Sequence, residues 1–158
     1  MLIRSNAEAG LDALDAELGS AQDATPELLA KVISGACGRG AARSGVAQSA
    51  RIKRLMAAEA WTETALALIE LELPHWKLRR LIFDDGSWLC SLSRQWKLPD
   101  WLDDTIDVRH ESMPLAILGA LILARRREGK VVARPASSVP RSPIELPSDA
   151  MVCCDNFG

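Results

Sequence analysis

Tyrosine is absent from the 158 residues, and phenylalanine and histidine occur twice each, whereas tryptophan occurs five times. Tryptophan must therefore supply most of the large-ring packing. The four cysteines, Cys37, Cys90, Cys153 and Cys154, form no C-x-x-C and accompany no paired histidines, which argues against a structural zinc site. The longest apolar run, residues 113–124, falls well short of the roughly 20 residues that span a bilayer, and the basic residues Arg125, Arg126 and Arg127 after it read as the end of a buried helix. Residues 1–10 include Arg4 and Glu8 and lack the apolar centre of a secretory leader, so a cytoplasmic protein without membrane association is expected. A net charge of −2 supplies no long-range attraction to a polyanion.

What is present is an average globular balance, 48% hydrophobic and 25% charged, enough for one domain. The charge is segmented. Residues 1–30 set Glu8, Asp12, Asp15, Glu17, Asp23 and Glu27 against Arg4 alone, while residues 31–54 hold Lys31, Arg39, Arg43, Arg51, Lys53 and Arg54 and no acid. Acidic and basic blocks alternate onward to the basic stretch 125–134. Such alternation implies complementarity between neighbouring elements, and self-association as a further consequence.

Leu11, Leu14 and Leu18 recur at helical spacing, and Gly19 follows, so a short amphipathic helix is expected over 7–18. Thr25-Pro26-Glu27 is a second start signal for a helix that Gly35 would end. The four glycines of 35–45 do not make a phosphate loop, because no Lys-Ser or Lys-Thr closes the run and a helix rather than a strand precedes it; a flexible basic linker fits better. Residues 49–73 read as one helix ended by Pro74.

Then the period changes to two. Asp85-Gly86 stands between two alternating runs and predicts a tight hairpin. Counting outward from Asp84 and Ser87 sets Phe83 opposite Trp88, Leu81 opposite Cys90 and Arg79 opposite Leu92 on a core face. The second face then mixes Trp76, Leu78, Ile82 and Leu89 with Arg80, Ser91, Ser93 and Gln95. Residues 96–111 read as an acidic loop with at most one short strand near Thr105 to Val108, and Pro114 opens an apolar helix that Gly129 would stop. The prolines from Pro135 to Pro147 mark a disordered tail.

The expected fold is α+β: a small antiparallel hairpin of two strands, or three, packed between helices. The expected division is a helical arm and Gly-rich linker over 1–48, a compact α-β-β-α domain over 49–128 and a disordered Pro/Ser-rich tail over 129–158.

From residue 60 to 127, a helix precedes Trp76-Lys-Leu-Arg-Arg-Leu-Ile-Phe-Asp-Asp-Gly-Ser-Trp-Leu-Cys-Ser-Leu-Ser-Arg94, and Met113-Pro-Leu-Ala-Ile-Leu-Gly-Ala-Leu121 follows. This stretch resembles a group of uncharacterised small proteins of soil alphaproteobacteria. More distantly it is similar to the phage α-β-α sandwich domain family, in which a Gly-Trp hairpin precedes a Pro-Leu-Ala-Ile-type helix. Ser87 between Gly86 and Trp88, and Gly119 where a larger residue is usual, depart from that family's pattern. The resemblance implies a small sheet between helices and carries no known reaction, hence no catalytic residue.

Catalysis needs a nucleophile or base with an orienting partner. His75 with Cys90 is the one combination in view, and Cys90 falls on the core face, where thiols act as small hydrophobes. Asp103, Asp104, Asp107 and Glu111 lack calcium-loop spacing and read as a solvated acidic loop. No catalytic residue, cofactor or metal is therefore expected. Trp76, Lys77, Arg79, Arg80, Arg94, Trp96 and Lys97 interleave rings with positive charge, the mixture that a partner surface or a single-stranded nucleic acid would use. The leading expectation is a non-catalytic interaction or regulatory module that binds a protein or itself through the acidic first helix and the second sheet face. Nucleic-acid binding by the Trp/Lys/Arg hairpin is the alternative.

Overall fold

The computed structural model describes residues 2–37, 46–99 and 101–132. The chain runs α1 (Leu2–Ser20), α2 (Pro26–Ala36), α3 (Val46–Ala57), α4 (Trp61–Glu72), β1 (Lys77–Asp84), β2 (Ser87–Ser93), β3 (Ile106–His110) and α5 (Met113–Val132), an α+β fold. The three strands form one antiparallel sheet in the order β1-β2-β3. The glycine-rich linker at 38–45 and the tail from 133 onward lie outside the described residues.

Local signals account for most element ends. Thr25 caps α2 by accepting a hydrogen bond from the Leu28 amide at 3.2 Å, with Pro26 in the first turn. Asp85 and Gly86 take φ of 49° and 77°, the positive pair that a primed two-residue hairpin turn requires. Some expected boundaries move, and α1, expected over 7–18, begins at Leu2 and passes Gly19 to end at Ser20. The helix expected over 49–73 is broken into α3 and α4 at Glu59, whose φ is 55°. The break lets α3 fold back against α4, where Ile52 is buried, which a straight helix would prevent. At the other end, α5 passes through Gly129 and ends at Val132, because one glycine costs a helix only about 1 kcal/mol.

Helix α5 organises the packing. Leu115, Ala116, Ile117, Leu118, Ala120, Leu121, Ile122 and Ala124 are all buried, so its middle is enclosed on every side, as an all-round apolar helix requires. It packs on β2 and β3 with one side and on α1 and α4 with the others. A Cβ on Gly119 would lie 3.0 Å from Val108 Cγ1, so the glycine permits the close approach of α5 to β3. Covering α5 also recruits the residues assigned to a separate arm. Leu18, Leu28, Leu29, Val32 and Ala36 belong to the same buried cluster as Leu68, Leu92 and Leu121, so the core does not begin at residue 49.

The charge blocks close on each other inside the fold. Arg126 of α5 lies 2.7 Å from Asp12 and 3.3 Å from Asp15 of α1, Lys31 pairs with Glu17, and Arg51 lies 3.4 Å from Glu70. Asp12, Asp15 and Glu17 of α1 thereby have cationic partners within the chain.

Candidate interaction surface

The hairpin register decides which side chains reach solvent. Asp84 pairs with Ser87, Phe83 with Trp88 and Leu81 with Cys90, as the turn predicts. Beyond Leu81 the register shifts, and Leu78, not Arg79, faces Leu92. The reason is physical: continued alternation would seat a guanidinium opposite a fully buried leucine, whereas one extra residue places Arg79 and Arg80 together across from Ser91. The bulge reverses everything N-terminal to it. Trp76, expected on the second face, is 2% exposed and turned toward α5, where its Nε1 donates to Glu128 Oε1 at 3.2 Å. The Arg94 guanidinium lies 5.6 Å from its ring centre, so neither face of Trp76 is offered to a base.

Arg79 has a different task. Its guanidinium pairs with Asp103 and donates to the Leu98 carbonyl at 3.1 Å, fastening the β2–β3 connection, residues 94–105, to the bulged strand. The Asp103 side chain is 1% exposed, and its Oδ2 also accepts a hydrogen bond from Ser93 Oγ. Asp103 Oδ1 is buried without a hydrogen-bond partner among the described residues. A cleft of about 530 Å³ lies beside this anchor, lined by His75, Arg94, Gln95, Asp103 and Asp104.

Of the seven residues nominated from sequence, Lys77, Arg80, Arg94, Trp96 and Lys97 reach the surface, and Trp76 and Arg79 are spent on the fold. Lys97 lies 5.4 Å from the Trp96 ring centre. Apolar side chains surround them, and of these the sequence pattern points to Leu78, Ile82 and Trp96 but not to Phe83, Leu98, Trp101 and Leu102. Leu78, Ile82 and Phe83 on β1, and Trp96, Leu98, Trp101 and Leu102 on the connection, are exposed, with Trp101 at 81% and Phe83 at 57%. Val46 is the one other large hydrophobe exposed among the described residues. Leu78 and Phe83 stand on the face that α5 covers at β2 and β3, so β1 projects past the helical layer. The second face divides. Its Ser91–Ser93 end is closed by Arg79, Asp103 and Asp107, and its turn end leaves Ile82 exposed beside half-buried Leu89.

Other chemistries find less to work with. His75 lines the cleft, whereas Cys90 is fully buried on the helix-facing side of β2, so the structure does not bring the two together. The acids go to separate partners: Asp103 to Arg79, Asp104 to Arg127 and Asp107 to Ser91. No group of three or more His, Cys, Asp or Glu side chains converges among the described residues.

Burial, with Glu72 adding and Arg125 opposing, pushes the Cys37 thiol from 9.0 up to about 12; burial, with Asp107 adding, does the same to Cys90. Both should ignore a thiol reagent at neutral pH in the native chain and react on unfolding, read in a variant with Cys153 and Cys154 replaced by serine. Because the folded values lie above the unfolded ones, the thiols' contribution to stability is intact below 9.0 and declines as pH rises toward about 12. A urea midpoint that falls through that window checks the sign.

Compared with known proteins, the chain matches no family model, no curated protein and no solved structure.

Proposed function

We propose that this chain is a non-catalytic protein-interaction or regulatory module whose contact surface is β1 together with the connection 94–105. The observation that carries the reading is the concentration of exposed large hydrophobes: seven of the eight among the described residues lie on that one strand and the connection fastened to it. Scattered single hydrophobes need no explanation, but a grouped set with charged neighbours is the composition of a contact surface. Arg80, Arg94 and Lys97 supply a polar rim to it. No helix is long and apolar enough to cross a membrane among the described residues. The free thiols Cys37 and Cys90 support placing the module in the reducing cytoplasm.

A photo-crosslinking residue tests the surface in cells. At Phe83 or Trp101 it should give discrete protein adducts, self-adducts included, and at exposed Glu27 on α2 it should give none. Equal labelling at all three positions, or adducts at Glu27 alone, overturns the assignment. Nucleic-acid binding is tested on the same protein with a single-stranded oligonucleotide of mixed sequence. No change in anisotropy is expected; binding that weakens with salt and with Lys97→Glu would replace the protein reading by a nucleic-acid one.

A further inference from the structure

The outer edge of β1 carries a chemistry that is complementary to its own reverse. Arg80-Leu81-Ile82-Phe83-Asp84 runs positive, apolar, apolar, apolar, negative. The strand ends the sheet, and no other strand pairs with this edge among the described residues. We propose that β1 pairs antiparallel with β1 of a second copy of this chain, about a two-fold axis at Ile82, to make one continuous sheet of both protomers. This rests on the interaction-module reading and names its partner.

The backbone permits that register. The two-residue turn makes Asp84 and Ser87 a hydrogen-bonded pair, and strict alternation then directs the peptide groups of Asp84, Ile82 and Arg80 toward β2. Those of Leu81 and Phe83 point outward. An axis at Ile82 sets Leu81 against Phe83 of the second copy, so the outward groups of both meet as hydrogen-bonded pairs. Ile82 then meets its own counterpart in the closer, non-hydrogen-bonded spacing, flanked on the same face by Arg80 against Asp84 twice over.

Neighbouring registers fail. An axis at Leu81 sets Arg80 against Ile82 and drives Phe83 onto the bulge, and an axis at Phe83 carries Leu81 into the turn at Asp85. The bulge limits the pairing at one end and the turn limits it at the other, which leaves the five residues of the self-complementary window. Exposure agrees: Ile82 is 47% and Phe83 57% exposed, and Asp84 meets Arg109 only at 3.9 Å. The opposite edge is unsuited, since β3 is five residues long and alternates Asp107 and Arg109 with side chains committed to α5.

The test is the solution mass of the full chain by sedimentation equilibrium, with charge reversals. The native chain should approach twice 17.2 kDa as concentration rises. Arg80→Asp and Asp84→Arg singly place like charges together at both ends of the window and should each raise the dissociation constant about tenfold or more. The double variant exchanges the charges and should restore dimerisation, a rescue that a misfolded single variant could not give. A monomer at every concentration, or a dimer indifferent to both reversals, overturns this pairing. In that case adducts to other proteins at Phe83 still support the interaction-module reading, and their absence as well ends both.

Discussion

Replacing Arg125 by methionine is expected to lower the unfolding free energy by about 3–5 kcal/mol, measured by urea denaturation at neutral pH. Arg125 stands where three helices meet. Its Nε donates to the Ala36 carbonyl at the end of α2 at 2.9 Å, and its guanidinium lies 3.7 Å from Glu72 of α4 and 3.6 Å from Glu128 one turn along α5. The Glu72 side chain is completely buried, and the Arg125 side chain is 12% exposed. Methionine keeps the apolar stem and removes the charge, which leaves the Glu72 carboxylate without this cation in a site that water does not reach. The cost is that of taking the counter-charge of this ion pair away from a buried carboxylate, which is larger than the net worth of the pair. Adding Glu72→Gln should recover a substantial part of the loss. A purely additive double variant would show that the two side chains do not act on each other.

Leu92→Ala is expected to cost about 2–5 kcal/mol by the same measurement. Leu92 sits in the central strand with Leu78 on one side and Ile106 on the other, fully buried beneath α5. Its neighbours belong to three elements that cannot all collapse into the space vacated, so a cavity term adds to the lost transfer free energy. Leu78→Ala, one strand outward and 41% exposed, should cost well under half as much. Comparable losses at the two positions would mean that β1 is covered as fully as β2, and that the contact surface proposed for it is closed.

The elements that could be read from sequence are those fixed by a few adjacent residues. Thr25-Pro26 and Asp85-Gly86 each specify a local backbone, and both behave as their chemistry requires. The break at Glu59 and the bulge at Arg79 could not be read in the same way, because each is set by a partner distant in sequence. Glu59 adopts positive φ so that α3 can return onto α4, and no glycine announces it. The bulge is decided by competition between alternation and burial: strict period two would have set Arg79 against Leu92. Two adjacent arginines between leucines were the available signal, since only an irregularity puts both on the solvent side.

The candidate surface was half legible for the same reason. Its charged members stood out by composition, but composition could not tell that Trp76 turns inward to Glu128 or that Arg79 serves as a fastener. Of the apolar members, Leu98, Trp101 and Leu102 were missed because a loop has no periodicity to reveal them. On β1, the exposure of Leu78 and Phe83 depends on where α5 lies, which no local pattern encodes. The segmented charge, in turn, is partly paired within the chain through Arg126, Lys31, Arg79 and Arg127.

Amide hydrogen exchange at Leu81 and Phe83 of the full chain, followed against protein concentration, tests most directly whether β1 is a docking edge. Both outward amides should exchange rapidly in dilute solution and become protected together as concentration rises, while the amides of β3 keep one rate throughout. Rapid exchange at Leu81 and Phe83 at every concentration, or protection already complete in dilute solution, would contradict it.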